Sequence, residues 1–359
     1  MPLDGDLANI VVPSPDYSRV LEDPFGVQVL LHDSVYPAPN RFFAHWFQLQ
    51  YFKTAPLVLQ SIASPVESVY LSSGLAKTFI QYLLIFLMAF AISGRKNPLN
   101  KKFLLATVLL IPLFQTFGYN NYMGIIDHSI SYSFFYAFAC GLLFWFFLPF
   151  FNSWFHHQKT EKTFLQISLS IVLSVIIVFH GPLNPAVILV ICPANMLVLF
   201  WTCMKASTHK ALTARIKQAF QKMPTYTLSI FILVSVLALY SLYIGRNNVE
   251  NLWSEISLWE RYKRLPLGLW NQFTQKLGLP ILMIMVFVNR FIIKKQGIRS
   301  ETLLKMLNWI LLLSAIYIVL LPLGGYRSYR PNIIRRDTIM PIILGFVFYF
   351  ALSSFYILK

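Results

Sequence analysis

Two carboxylates two residues apart open the chain, in Asp4-Gly5-Asp6. On a glycine-containing loop such a pair can share a divalent cation (Mg or Mn would suit), or one carboxylate can orient while the other takes a proton as general base. Asp-Gly is also ordinary turn chemistry, so the triplet draws its value from where it sits. Near the other end runs Gly324-Gly325-Tyr326-Arg327-Ser328-Tyr329-Arg330-Pro331-Asn332-Ile333-Ile334-Arg335-Arg336-Asp337. The planar guanidinium fork grips phosphate oxygens at two points at once, so Arg327, Arg330, Arg335 and Arg336 are candidate ligands for an anion. The alternative is that these arginines pair with nearby carboxylates or lipid headgroups. Asp127-His128 combines a helix-capping residue with a titratable ring, and His180 stands in a turn, His180-Gly181-Pro182; both histidines are carried as substrate-binding candidates. His156-His157 is a poor metal site, because adjacent residues diverge on a helix. Neither a phosphate-cradling glycine loop, nor a serine nucleophile elbow, nor zinc-ligand spacing is present.

The elements that must position these residues are membrane helices. Of 359 residues, 57% are hydrophobic, 16% aromatic and only 12% charged. A soluble domain carries about 25% charge, so an ordinary cytosolic enzyme is excluded, and disorder is excluded by the hydrophobicity. The net charge of +16 points to anionic headgroups and not to nucleic acid, because most Lys and Arg lie between apolar runs. Cys140, Cys192 and Cys203 all lie within apolar stretches, with no disulfide or metal spacing.

Runs of about 20 apolar residues give about nine spans: 75–94, 103–118, 129–150, 164–179, 185–204, 226–244, 277–293, 303–322 and 338–358. The expectation is an all-α polytopic helix bundle over 75–359, preceded by an external segment over 1–74. Phe42, Phe43, Trp46 and Phe47 repeat at helical spacing opposite Asn40, Arg41, His45 and Gln48. Leu252, Trp253, Ile256 and Trp259 do the same against Glu255, Arg261 and Arg264. Both patterns predict helices lying flat at the headgroups.

Charge sets the orientation. The loops after the first, third, fifth and seventh spans are all basic, from Arg95-Lys96 through Lys159, Lys205 and Lys294-Lys295. By the positive-inside rule they are cytoplasmic. The 1–74 segment and the loops 119–128, 180–184, 245–276 and 323–337 then share the outer side. The arginine-rich loop violates the rule, and that violation is its reason to be read as a site. Residues 1–74 need a translocating element, and no signal peptide precedes them; a further span upstream of Met1 is the expectation.

An acidic pair in the first external segment, an interfacial helix after it, many spans and arginines in a late external loop together resemble the GT-C superfamily of integral-membrane glycosyltransferases. The resemblance covers the layout of the whole chain, and Asp4-Gly5-Asp6 is its one motif. It implies a polyprenyl-phosphate-linked sugar as donor, membrane lipids as surroundings, no nucleic acid, and an active site on the extracytoplasmic face, in a bacterial cytoplasmic membrane. It implies Asp6 or Asp4 as catalytic base and the late arginines as phosphate ligands. A polysaccharide polymerase or ligase acting on an undecaprenyl-diphosphate-linked glycan stays open as an alternative, and so does a transporter or flippase. Loss of the acidic triplet separates the first two. The transporter reading wants inverted repeats and mid-membrane charges, which the sequence lacks.

Overall fold

A computed structural model describes residues 5–115, 124–158, 163–207, 211–252, 256–275, 277–297 and 300–359. Among these the regular structure is helical, with two isolated bridges, Tyr36–Asn248 and Arg327–Arg330. Three short helices come first: α1 (Gly5–Val11), α2 (Pro15–Glu22) and α3 (Val27–His32). Then follow α4 (Phe42–Leu59), α5 (Pro65–Ser93), α6 (Lys101–Leu110), α7 (Ile130–Phe155), α8 (Phe164–Val178) and α9 (Leu183–Lys205). The basic helix α10 (Leu212–Lys222) precedes α11 (Thr225–Gly245), and the short α12 (Leu258–Lys263) and α13 (Leu265–Thr274) lead into α14 (Gly278–Gln296), α15 (Ser300–Leu320) and α16 (Met340–Ile357).

Among the described residues, six helices are long and apolar enough to cross a membrane: α5, α7, α9, α11, α15 with its 3₁₀ extension, and α16; the bent pair α12–α13 with α14 raises the number to seven. The other expected segments are shorter or broken. Pro112 ends α6 after ten residues and turns Ile111–Phe114 into a 3₁₀ stretch, since proline cannot donate the helical hydrogen bond. Helix α8 has 15 residues, roughly 22 Å at 1.5 Å each, less than the ~30 Å hydrocarbon core. Helix α14 carries Arg290, Lys294 and Lys295 in its second half.

Local chemistry sets the helix ends. Ser64 and Glu67 form a reciprocal capping box with Pro65 in the first turn, so α5 starts ten residues before the expected span; Gly94, at φ 64°, closes it. Ser68, Ser72 and Ser73 return their hydroxyls to carbonyls one turn back (2.7–3.0 Å), which satisfies them without water. Helix α16 forms the centre, with Tyr349 and Phe355 essentially inaccessible.

The termini of the long helices sort to two ends. At one end, His156 Nε2 meets the Ala91 carbonyl at 2.6 Å and Gln158 donates to the Gly94 carbonyl. At the other, the Phe43 amide donates to the Phe179 carbonyl (3.1 Å), the Ala38 amide to Asn248 Oδ1 (3.3 Å), and Asn40 to the Ser241 carbonyl (3.1 Å). Arg336 reaches Asp127 there, past Gly124, where a Cβ would stand 2.7 Å from the arginine Cδ. The segment 5–41 and the loops near 127, 180, 248 and 330 therefore crowd together at one end of the bundle.

Helix α4 corrects one expectation. Its polar residues His45 and Gln48 are buried, whereas Trp46 is the exposed member of the aromatic set. The polar side faces protein: Gln48 donates to Ser131 Oγ at 2.8 Å. In the second expected interfacial stretch, Trp253 and Glu255 lie outside the described residues, and Trp259 on α12 is exposed.

Candidate functional site

The crowded end holds a cavity of about 270 Å³, walled by six parts of the chain. Asp6, Asn9 and Ile10 come from α1, and Tyr17 from α2. Arg41 and His45 come from the start of α4, and Tyr132, Phe135 and Tyr136 from the start of α7. Glu250, Arg327, Tyr329 and Arg330 complete the wall. Asp6 and two of the late arginines thus share one cavity across more than 300 residues of sequence. Asp4 lies outside the described residues.

The start of α7 explains how one helix serves two surfaces. Ser133–Phe138 winds as a π-helix, with Ser129 capping the turn before it. The wide turn shifts side-chain register, a device common at functional sites. It sends Tyr132, Phe135 and Tyr136 to the polar cavity, and Phe134 and Phe138 to a separate apolar groove of about 690 Å³ between α4 and α5, along with Phe47, Tyr51, Leu75, Phe79 and Ile80.

The cavity's cations are held differently. Arg327 pairs with Glu250, and its Nη1 donates to the Tyr329 hydroxyl at 3.0 Å. Arg330 donates to the Tyr132 hydroxyl, packs over the Tyr132 and Tyr329 rings at 5.1 and 5.4 Å, and lies 3.5 Å from Asp337. Arg41 lies with its Cζ 5.7 Å from the centroid of Phe135. No carboxylate among the described residues pairs with it. The amphipathic pattern places Arg41 on the polar side of a helix lying at the headgroups; the fold turns it to the cavity. Ala38 makes that turn, with φ at +56° and a Cβ that other residues seldom place there. Tyr17 stays a phenol: burial raises its pKa first, and Glu250 and Asp6 add to it.

The remaining sequence candidates lie elsewhere. Arg335 makes a two-point bond with Asp337 (3.0 and 3.1 Å) and donates to the Asn332 carbonyl at 2.9 Å, so it braces its own loop. Arg336 ties that loop to Asp127, whose other oxygen accepts from the Ser129 amide at 2.8 Å; Ser129, not Asp127, is the helix cap. Neither arginine lines the cavity. His128 is exposed and away from the cavity; its carbonyl accepts from buried Lys77. His180 is fully buried behind Phe47 and Phe138, and its Nε2 sits 2.9 Å from the Phe134 carbonyl. Burial pushes its pKa down to about 4, against a smaller upward pull from that carbonyl. His45, on the polar side of the predicted interfacial helix, lines the cavity instead. Burial first, then the nearby Arg41 and His180, push its pKa down to about 3. Both histidines are neutral at physiological pH.

Among the described residues no group of three or more His, Cys, Asp or Glu side chains is placed to hold a metal ion. Glu250, on the cavity wall, is paired with Arg327. Comparison with protein-family models, with curated proteins and with solved structures gives no match to this chain.

Proposed function

We propose that this integral membrane protein is a glycosyltransferase of GT-C type, which moves a sugar from a polyprenyl-phosphate carrier to an acceptor hydroxyl at the extracytoplasmic face. The single observation that carries this reading is the shared cavity of Asp6 with Arg41, Arg327 and Arg330. Transfer from a phosphate-linked sugar needs a base for the incoming hydroxyl and cations for the departing phosphate. Asp6 is the base: it takes the acceptor proton as the acceptor oxygen bonds to the anomeric carbon and the carbon–phosphate oxygen bond breaks. The electron pair of that bond leaves with the phosphate, beside the guanidinium groups. The protein around the cavity lowers the local dielectric, which makes those charges count for more than they would in bulk solvent.

Two further features support the reading. The apolar groove on the other side of the π-turn suits a prenyl chain, which brings a lipid phosphate to the cavity from the bilayer. The described basic residues Arg95, Lys96, Lys205 and Lys294 lie towards the opposite end, and the positive-inside rule then supports reading the crowded end as extracytoplasmic. In this reading α6, α8 and α14 cross the bilayer with the six longer helices, since their ends also alternate between the two ends of the bundle, giving about nine crossings. The membrane is the bacterial cytoplasmic membrane.

Lipid extracted from the purified protein tests the reading. Mass spectrometry is expected to find a polyprenyl phosphate enriched over the bulk membrane, with the enrichment lost in an Arg41→Ala/Arg330→Ala variant. Extracted lipid of bulk composition would overturn it. Asp6→Asn is expected to keep the bound lipid and to lower transfer by about 10²–10⁴. Retained transfer in that variant would assign the chemistry to an arginine-centred ligase.

A further inference from the structure

His45 and Arg41 stand one helical turn apart at the start of α4, so both side chains leave the same face of the helix. Both pack on one ring: His45 stacks on Phe135 with centroids 5.2 Å apart, and the Arg41 guanidinium carbon lies 5.7 Å from the same centroid. Stacking fixes the two planes and leaves their polar edges uncommitted. Among the described residues, neither ring nitrogen of His45 and no guanidinium nitrogen of Arg41 has a hydrogen-bond partner in the chain. His45 is only 5% exposed, yet it lines the cavity. Neither residue is among those with a sealed, partnerless polar atom in the core, so these nitrogens open on the cavity and are free to take a partner that enters it.

His180 is the useful contrast. One of its nitrogens is also unpartnered, but that atom is sealed in the core and nothing can reach it. Arg327 and Arg330 differ in another way, since both already have carboxylate and phenol partners. Arg41 and His45 set two open edges side by side on the cavity wall. The two have different tastes. Arg41 offers only donors and a full positive charge, which suits phosphate oxygens. A neutral imidazole offers one donor and one acceptor, which suits a hydroxyl and does nothing special for an anion. Its polar companions on the cavity wall are the charged Arg330, Arg327, Asp6 and Glu250, four tyrosines and the amide of Asn9, and His45 supplies the imidazole.

We propose that His45 is a specificity-determining residue of this cavity, whose imidazole hydrogen-bonds a hydroxyl of the sugar while Arg41 beside it holds the attached phosphate. This rests on the glycosyl-phosphate reading above, and it divides that ligand between two neighbouring side chains of one helix turn.

The test compares ligands that share the phosphate and differ in the sugar. Binding of farnesyl phosphate and of farnesyl phosphoglucose, phosphomannose and phosphogalactose to the purified full chain in nanodiscs is measured for wild type, His45→Phe, His45→Gln and Arg41→Ala. Wild type is expected to bind one glycosyl phosphate more tightly than farnesyl phosphate. His45→Phe is expected to lose roughly tenfold for that ligand and to leave farnesyl phosphate within about twofold, as expected for one uncharged hydrogen bond. His45→Gln is expected to restore most of the loss, because its amide again pairs with a hydroxyl; it also covers the case in which His45→Phe does not fold. Arg41→Ala is expected to weaken every ligand alike. Equal loss of farnesyl phosphate and glycosyl phosphate in His45→Phe and His45→Gln would overturn the assignment of His45, and so would no loss, or no preference for a sugar in wild type; in each case the phosphate reading stands. Failure of wild type to bind farnesyl phosphate at all would overturn the underlying reading itself.

Discussion

Three cations in one cavity carry different burdens, and substitution separates them. Arg327 neutralises Glu250 with both side chains largely buried (17% and 22% exposed). Arg327→Ala strands that carboxylate, which costs about 1–3 kcal/mol. The expected outcome is a lower melting temperature in detergent that Arg327→Ala/Glu250→Gln largely recovers, read as a double-mutant cycle. Arg41 has no such partner, so Arg41→Ala is expected to leave the melting temperature unchanged and to weaken farnesyl phosphate by about 10- to 100-fold, the worth of one charge-assisted contact. The buried histidines give a pH signature. A histidine whose folded pKa is pushed down from 6.5 to about 4, as His180 is, takes up its proton more readily when unfolded. Stability is therefore complete above about pH 6.5 and falls as the pH drops towards 4, by roughly 3 kcal/mol for a shift of this size. Thermal melting across that range is expected to show the slope, and His180→Asn is expected to reduce it, with His45 supplying the remainder. A melting temperature flat from pH 7 to pH 4.5 would contradict the buried neutral state.

At the scale of elements, the late loop is held to the cavity by backbone packing as well as by charge. Gly268 on α13 is buried against Ile334, and a Cβ there would stand 2.9 Å from the Ile334 Cβ and 3.2 Å from its backbone nitrogen and oxygen. Backbone cannot swing aside as a flexible side chain can. Gly268→Ala is expected to cost about 1–3 kcal/mol by overpacking and to weaken farnesyl phosphate binding, because the displaced loop carries Arg327 and Arg330; unchanged binding would separate the loop from the site. This contact could not be read from sequence, since it joins residues 66 positions apart through a glycine with no periodic signal. Helix α4 departs from its amphipathic pattern for a related reason. An amphipathic pattern says that two faces differ, not which one meets protein, and here His45 and Gln48 are the inward side. The inward turn of Arg41 and the π-turn at Ser133–Phe138 left no sequence mark at all. Arg327 and Arg330 stand out in sequence as a cluster that breaks the charge alternation of the loops, and Asp6 as one of two carboxylates spaced two residues apart; the fold brings the three to one cavity. Arg335 and Arg336 carried the same signal and answer to the plainer reason, carboxylate pairing.

At the scale of the molecule, apolar length made the all-helical bundle visible from composition, while the number of crossings depended on breaks such as Pro112 and on the short α8 that hydropathy blurs. The alternation of basic loops predicted two unlike ends, and the fold has two: 5–41, 180, 248 and 330 at one, and 94–100 with 156–158 at the other. Everything proposed for the cavity requires that these ends lie on opposite sides of a membrane, with the arginines away from the cytoplasm against the usual bias. Single cysteines test this directly. Cys140 and Cys192 are buried, so they give little background once Cys203 is replaced. Glu22→Cys and Ser328→Cys sit on exposed positions at the cavity end, and Lys96→Cys and Lys217→Cys on exposed positions of the basic loops. In intact cells a membrane-impermeant maleimide is expected to label the first two and not the second two, and permeabilisation is expected to expose all four. Labelling of Lys96→Cys in intact cells with protection of Ser328→Cys would invert the molecule: the cavity would face the cytoplasm, and a carrier lipid presented from outside could not reach Asp6. Labelling of Glu22→Cys without Ser328→Cys would be more damaging still, because it would pull apart the two halves of the cavity that the fold joins.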